Sequence, residues 1–249
     1  MTEPVVEREE TFMSHLVELR TRLLRAMLAV LAAFLALLPF SQRTYSMFAE
    51  PLIKQLPAGG QIIAIDVASP FFAPIKLTFV LGLVVAMPVV LYQLWSFVAP
   101  GLYRNEKKLA MPLLVSAVAL FYIGCAFAWF LVLPTVFAFL TAITPEGVAM
   151  MTDITRYLDF VLVVFLAFGF CFELPVAVVI LAAMGWVNVA QLREARAYVV
   201  VGAFVVAAII TPPDVISQVM LAIPMCALYE VGILVSQLLE RRAAVAAAS

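Results

Sequence analysis

A single carboxylate, Glu173, lies inside one of the most apolar stretches of the chain, in the segment GFCFELPV. If that stretch crosses a membrane, an ionised carboxylate near its middle costs at least a few kcal/mol, so the side chain must face protein or water, or be neutral. Pro175 lacks a backbone N–H and leaves a helical carbonyl near Cys171 without its usual donor. Glu173 is then either a neutral group that hydrogen-bonds a loosened helix, or a polar point on a concave surface that meets a substrate or a partner helix. The general behaviour of ionisable residues within membranes favours the second interpretation.

A second group of residues that could do chemistry lies in the stretch TFMSHLVELRTRLLRA near the N-terminus, where apolar residues recur with helical spacing. Glu18 and Arg22 are four residues apart, in the favourable orientation for a surface ion pair. Arg20 falls on the opposite flank of the same helix. Later in the chain, Glu106 stands beside an arginine and two lysines. Taken alone, it is best interpreted as a solvated loop carboxylate.

No combination of residues predicts a catalytic, metal or cofactor site. An intramembrane protease needs a serine–histidine pair, an aspartate pair or an HExxH motif, and the only histidine, His15, precedes the first apolar run. The cysteines Cys125, Cys171 and Cys226 lie in different apolar runs without CxxC spacing, as expected of small packing residues. The sequence therefore predicts a protein that is not an enzyme, uses no cofactor and has no nucleic-acid partner.

The composition of the chain determines its class. Of 249 residues, 65% are hydrophobic and 12% are charged, and the mean hydropathy is +1.11. Such a chain cannot cover a soluble core with polar surface, and most of its apolar runs can cross roughly 30 Å of hydrocarbon. We expect an all-α, polytopic membrane protein in which residues 1–249 form a single integral membrane domain in the lipid bilayer. Six spans are predicted, at residues 23–40, 75–98, 113–135, 160–185, 198–210 and 215–234.

The distribution of Lys and Arg predicts that both termini are cytoplasmic. With that orientation, the cytoplasmic segments hold eleven of these residues, and the opposite face holds four, namely Arg43, Lys54, Lys76 and Arg156. An excess of positive charge on the cytoplasmic side is the rule for helical membrane proteins. The first span follows an acidic leader and is followed by no small-x-small cleavage site, so we interpret it as an anchor rather than a cleavable signal peptide.

The fifth predicted span is too short for a bilayer of ordinary thickness. About thirteen strongly apolar residues rise roughly 20 Å as a helix, and two prolines in the sequence TPPD then stop it. Spans five and six are predicted to form a tight hairpin of short spans, with Asp214 capping the sixth helix and Gln218 one turn further on. Such a hairpin thins the bilayer locally. The two long loops of the opposite face, residues 41–70 and 136–159, are expected to form short helices or caps over the bundle.

Five motifs follow one another along the chain. They are HLxELRxRL from His15, SPFFxPIKLTF from Ser69, YQxWxFxAPxLYxxE from Tyr92, FELPV from Phe172 and TPPDxxSQ from Thr211. Together they resemble the TatC family, the multispanning receptor subunit of the twin-arginine protein translocase, over residues 14 to 236. The resemblance implies a protein of the bacterial cytoplasmic (inner) membrane that binds twin-arginine signal peptides of folded substrates. It also implies single-span TatA- and TatB-like partners and a homo-oligomer within the complex.

The resemblance further implies roles for individual residues. Glu18, Arg20, Phe97 and Glu106 would form a cytoplasmic signal-peptide site. Glu173 would be the intramembrane polar site, where the apolar part of a signal peptide or a partner helix enters. Asp214 and Gln218 would contact a partner helix, and Pro51 and Phe71 would have structural roles. The chemistry suits the first of these assignments, because a guanidinium meets a carboxylate through two parallel hydrogen bonds that lysine cannot copy.

A proton-coupled secondary transporter is the main alternative, with Glu173 as a proton relay. Transporters of that kind usually contain paired repeats with discontinuous helices in both halves. The proline-interrupted hairpin near Asp214 has no counterpart in the first three predicted spans, which argues against this alternative. Binding of a peptide with adjacent arginines would discriminate between the two functions.

Overall fold

The computed structural model describes residues 4–54, 61–98, 110–145, 151–210 and 215–248, and most of them are helical. Helices satisfy their own backbone hydrogen bonds, as lipid requires. The long helices are α1 (Pro4–Leu37), α3 (Ser69–Val98), α4 (Ala110–Phe127), α6 (Ile154–Cys171) and α10 (Val215–Ala248). The shorter ones are α2 (Ser41–Ile53), α5 (Leu133–Ala142), α7 (Leu174–Ala183), α8 (Val189–Glu194) and α9 (Arg196–Ile210).

The predicted all-α architecture with six spans is confirmed. Five helical stretches are long and apolar enough to cross a membrane, and they are Leu16–Glu50, Ser69–Phe97, Met111–Ala142, Ile154–Ala183 and Val215–Arg241. The additional apolar helix is α9, whose 15 residues rise about 22 Å, as expected for the short fifth span. Six crossings bring both ends of the chain to one side of the membrane. We call that side the near side and the opposite one the far side.

The second helix of the hairpin is longer than predicted. α10 has 34 residues and continues well past Leu234, so α9 is the short member of the pair. The sequence after Leu234 contains Gln, Leu, Glu, Arg and Ala, which are good helix formers, and no glycine or proline stops the helix at the membrane surface.

Two spans are interrupted within the membrane, in each case next to a proline. The fourth span consists of α6 and α7, which are separated at Phe172 and Glu173 because Pro175 has no N–H for the carbonyl of Cys171. In the third span, residues Ala128–Val132 form a π-helical turn that ends two residues before Pro134. The break in the fourth span is what places Glu173 outside a regular helical turn.

The far-side loops and the adjoining far-side ends of the first and third spanning stretches form a cap, which we define as α2, α5 and two short strands. The strands are β1 (Gln61–Ile63) and β2 (Met151–Asp153), and they pair in parallel with Gln61 opposite Met151. Short helices in these loops were predicted, but the strand pair was not. The strands join two loops that are about ninety residues apart in sequence, so the cap is held together by a long-range contact.

Asp153 connects the cap to the start of α6. Its carboxylate accepts hydrogen bonds from the backbone N–H groups of Arg156 and Thr155, both at 3.0 Å, and from that of Ile65 at 3.1 Å. The N–H of Arg156 contributes most and that of Ile65 next, and together they hold the pKa of Asp153 below its ordinary value. One carboxylate therefore caps α6 and fixes the loop after β1.

Aromatic packing joins the cap to the spans. The ring of Phe48 in α2 lies 4.5 Å from that of Trp129 and 5.7 Å from that of Phe165, measured between centroids. Nearer the middle of the bundle, α4 and α6 touch so closely that a Cβ on Gly124 would lie 2.5 Å from the carbonyl oxygen of Phe168. A side chain at Gly124 would push these two helices apart.

The hairpin of α9 and α10 packs mainly on α7, through a small apolar cluster on the near side. The cluster consists of Val178, Val189, Leu192, Tyr229 and Ile233. The hydroxyl of Tyr229 donates to the carbonyl of Leu192 at 2.8 Å, and Arg196 pairs with Glu230 at 2.6 Å. The C-terminal hairpin is thus attached beyond the break at Glu173.

Candidate functional site

Glu18 and Arg22 form the predicted ion pair near the start of α1. The Arg22 Nε and Nη2 atoms lie 2.9 and 2.5 Å from the same carboxylate oxygen, Oε1 of Glu18. Both side chains are partly exposed. Pairs of this kind at i,i+4 stabilise a helix by only about 0.3–0.5 kcal/mol, so a stronger ligand for the carboxylate can displace Arg22. Arg20 is exposed on the same helix.

Phe97 lies at the same level of the bundle as Glu18. α3 returns alongside α1, and a side chain at Gly82 would lie 2.9 Å from the backbone of Phe34, so the two helices touch there. Glu18 precedes Phe34 by 16 residues and Phe97 follows Gly82 by 15, which are rises of about 24 and 22 Å in opposite chain directions. The packing therefore brings the ELR motif and the last turn of α3 to the same end of the helix pair.

Phe97 is half-buried within that last turn of α3. Glu106, the second predicted carboxylate of this site, lies outside the described residues, and its position relative to Glu18 stays a prediction. Among the described members of the site, Glu18, Arg20 and Phe97 lie at the near-side end of the α1–α3 pair.

Glu173 occupies the break between α6 and α7. Its N–H donates to the carbonyl of Phe170 at 3.0 Å, and its carbonyl accepts from the N–H of Ala177 at 2.9 Å. Its side chain caps neither helix, and Oε1 is buried with no hydrogen-bond partner among the described residues. A buried carboxyl oxygen that lacks a partner is available to a ligand. Oε1 makes no hydrogen bond to the backbone of the broken helix among the described residues. This argues against the interpretation that Glu173 is a neutral group that hydrogen-bonds a loosened helix.

Gln218 faces the neighbouring helix of its own hairpin. Its Nε2 donates to the carbonyl of Phe204 in α9 at 3.2 Å, so at least one polar atom of this side chain holds the hairpin together. Asp214 lies outside the described residues, and its predicted capping and contact roles stay predictions. The side chain of Pro51, in α2, is likewise not described.

Phe71 lies in the first turn of α3 on the far side, away from the other predicted site residues. It is 65% exposed, and its ring packs edge to face against Phe72 with centroids 5.1 Å apart. The structure therefore divides the predicted residues among three places: the near-side end of α1 and α3, the break at Glu173, and the far side.

Two polar features were missed by the sequence analysis. Oε1 of Gln93 in α3 is a second buried side-chain oxygen without a hydrogen-bond partner among the described residues. A glutamine between Tyr92 and Leu94 in an apolar helix was the available signal. Lys76 and Asp159 form an ion pair between α3 and α6 that joins the two helices near their far-side ends. Their sequence separation of 83 residues left no local pattern to recognise.

These places offer groups that could bind a ligand. Within the described part of the chain, no group of three or more His, Cys, Asp or Glu residues could hold a metal ion. The near-side end of α1 and α3 offers the Glu18 carboxylate at the same level as the Phe97 ring. The break offers a buried carboxyl oxygen that a helix entering the membrane could reach.

Comparison with known proteins gives one consistent result. The sequence pattern of the family described as Sec-independent protein translocase protein (TatC) matches residues 14–224. The chain is 55% identical to the TatC protein of Azotobacter chroococcum mcd 1 over 92% of this chain and 90% of that one. It is 53% identical to TatC of Escherichia coli (strain K12) over 93% of this chain and 90% of that one.

A solved structure agrees with these relatives. The fold is similar to a crystal structure of a twin-arginine translocase receptor, TatC, with a TM-score of 0.80 and 37% sequence identity. The similarity covers 90% of this chain and 98% of the other. None of these matches supports the alternative of a proton-coupled secondary transporter.

Proposed function

The chain belongs to the TatC family of Sec-independent protein translocase proteins, and from that premise we propose that the near-side end of α1 and α3 is its receptor site for twin-arginine signal peptides. It is a core subunit of the twin-arginine translocase and a multi-pass bacterial membrane protein. In our proposal, it lies in the inner membrane with both termini in the cytoplasm. Residues 1–249 then act as one integral membrane domain without enzymatic activity.

The observation that carries this proposal is the common level of Glu18 and Phe97. A signal peptide presents two adjacent arginines followed by an apolar stretch, so its receptor needs carboxylates next to an apolar surface at the membrane boundary. Glu18 is held by a weak i,i+4 pair with Arg22 that an incoming guanidinium can replace. Phe97 offers a ring to the first apolar residues, and Glu106 supplies the second carboxylate in this proposal.

Glu173 would extend the proposed binding site from the near side into the membrane. A signal peptide or partner helix that continues from the near side into the bundle needs a polar partner only where its own backbone or side chains are polar. Oε1 of Glu173 is buried and without a partner among the described residues, which suits a group whose ligand arrives from outside. We assign Glu173 to hydrogen bonding of an entering helix rather than to proton relay.

The partners follow from the same proposal. TatA- and TatB-like subunits with single spans would contact the short hairpin at Asp214 and Gln218, where α9 is shorter than the bilayer is thick. Since one N–H of the Gln218 amide donates to α9, a partner would bond to its second N–H or to its oxygen. Further copies of the chain complete the complex, and Pro51 and Phe71 shape its far side.

The test is peptide binding to the purified protein in nanodiscs. Glu18→Gln should weaken a twin-arginine peptide by about tenfold to a hundredfold, because a charge-assisted hydrogen bond contributes roughly 1.5–3 kcal/mol. Glu50→Gln is the matched control, since Glu50 forms the same kind of exposed i,i+4 pair with Lys54, but on the far side. Equal losses in both variants, or none in Glu18→Gln, would remove Glu18 from the site.

A further inference from the structure

We propose that Tyr122 is a positioning residue for the signal-peptide site, because it supplies to α3 the hydrogen-bond donor that Pro88 cannot. This inference rests on the proposed function, since it concerns the direction in which α3 carries Phe97. It assigns a role to a residue of α4 that itself lies far from the proposed site.

The inference begins with Pro88, a proline within the long helix α3. In an α-helix, each carbonyl accepts from the N–H four residues later, so the carbonyl of Val84 should receive the N–H of residue 88. Proline has no N–H, and its ring also crowds that carbonyl. The hydroxyl of Tyr122 donates to the carbonyl oxygen of Val84 at 3.0 Å. A side chain from the neighbouring helix thus replaces the missing backbone donor.

The packing around Tyr122 holds the hydrogen bond to Val84 in place. Val84 and Met87 are buried, and the ring of Tyr122 packs edge to face on Phe121, which is fully buried, with centroids 5.8 Å apart. Water is excluded from a lipid environment, so an unpaired carbonyl at this depth would be strongly unfavourable. The hydroxyl of Tyr122 therefore gives the carbonyl of Val84 a donor, so α3 contains Pro88 without leaving that carbonyl unsatisfied.

The consequence for function lies in the ten residues of α3 after Pro88. They contain Trp95, which is buried, and Phe97 of the proposed site. A proline interrupts the hydrogen-bond ladder, so the part of the helix beyond it can bend relative to the part before. The bond from Tyr122 ties the interrupted turn to α4 and so fixes the direction in which α3 carries Phe97 to the level of Glu18.

The decisive experiment is a double-mutant cycle between Tyr122→Phe and Pro88→Ala. Tyr122→Phe keeps the ring and removes the donor, whereas Pro88→Ala restores the backbone N–H to Val84. Spin labels on cysteines that replace Val17 and Leu94, both exposed, would report the distance between the near-side ends of α1 and α3 after the three native cysteines are replaced. Affinity for a twin-arginine peptide is the second measurement.

We expect Tyr122→Phe to broaden the 17-to-94 distance distribution and to weaken the peptide about two- to tenfold. In the Pro88→Ala background, the same change should alter neither measurement, because the carbonyl of Val84 then has a donor of its own. Tyr157→Phe is the control. Its hydroxyl donates at 2.5 Å to the carbonyl of Phe48 on the far side, so its removal should not couple to Pro88.

Equal effects of Tyr122→Phe in both backgrounds, or an unchanged distance distribution, would overturn the inference. Failure of the proposed function is recognised separately with Phe97→Ala. If that variant binds the twin-arginine peptide as tightly as the parent, the site at Phe97 is wrong, whereas the spin-label cycle still decides whether Tyr122 compensates for Pro88.

Discussion

Replacing Glu173 with leucine should make the protein more stable and less active. Oε1 of Glu173 is buried at the break between α6 and α7 and has no hydrogen-bond partner among the described residues. A residue kept for the fold would not leave such an atom unsatisfied, whereas a residue kept for an incoming ligand would. Leucine fills a similar volume and removes the polar atom.

The magnitude follows from that unsatisfied oxygen. A buried polar atom without a partner destabilises a protein by about 1–3 kcal/mol. Because the side chain is only partly buried, we expect the lower part of that range, about 1–2 kcal/mol, for Glu173→Leu. For a chain of this size, that is a rise of roughly 2–8 °C in melting temperature.

The assay combines thermal unfolding in nanodiscs, followed by the fluorescence of Trp95, Trp129 and Trp186, with export of a folded reporter that carries a twin-arginine signal. Glu173→Gln keeps a hydrogen-bonding group and should retain most of the export. Gln93→Leu applies the stability part of the reasoning at the second buried oxygen without a partner among the described residues, and it should likewise raise the melting temperature.

Two results would refute this reasoning. If Glu173→Leu lowered the melting temperature, the carboxyl would stabilise the fold instead of waiting for a ligand. If Glu173→Leu exported the reporter as well as the parent, Glu173 would have no role in transport. Equal damage from glutamine and leucine would instead indicate a role for charge or for a proton.

Three further predictions concern the orientation in the membrane, the contact with a partner helix and the link between the cap and α6. In single-cysteine labelling, an impermeant reagent added outside should reach cysteines that replace Ser41 and Gly147 but not one that replaces Asn105, and outside access at position 105 would contradict the orientation. Crosslinks to a TatA- or TatB-like helix should be stronger from position 218 than from position 130, where Phe130 is highly exposed, and equal yields would argue against the hairpin as the contact. Because the pKa of Asp153 is lowered in the folded protein, its contribution to stability is present above the ordinary value of 3.8 and is lost as pH falls below it. Asp153→Asn should therefore flatten the acid side of the stability profile, and an unchanged profile would show that this carboxylate does not link the cap to α6.

Hydropathy and local spacing were sufficient to predict much of this structure. The six spans follow from the lengths of the apolar runs, and the pair between Glu18 and Arg22 follows from their i,i+4 spacing on a helix. The interruption near Glu173 follows from Pro175, which has no N–H for the turn before it. These features depend on residues that are close in sequence.

The features that could not be predicted depend on residues that are far apart. The parallel pairing of β1 with β2 involves two three-residue strands whose register is set by the spans that carry them. The hydrogen bond from Gln218 to the carbonyl of Phe204 depends on how α9 and α10 pack. The bond from Tyr122 to Val84 requires knowing that α4 lies beside the proline of α3. A proline at position 88 leaves the carbonyl of Val84 without its usual donor, but nothing nearby in the sequence identifies the side chain that supplies one.

The central claim is that carboxylates on the near side recognise the arginine pair of a signal peptide. Its most direct test is a two-by-two cycle that combines the parent and Glu106→Ala with twin-arginine and twin-lysine peptides in nanodiscs. We predict that Glu106→Ala weakens the twin-arginine peptide about tenfold to a hundredfold, because a charge-assisted hydrogen bond contributes roughly 1.5–3 kcal/mol. The twin-lysine peptide lacks the guanidinium fork and should lose only the modest attraction of an exposed charge pair. If both peptides weakened alike and added salt removed the effect, Glu106 would be an ordinary solvated carboxylate, and the claim would be contradicted.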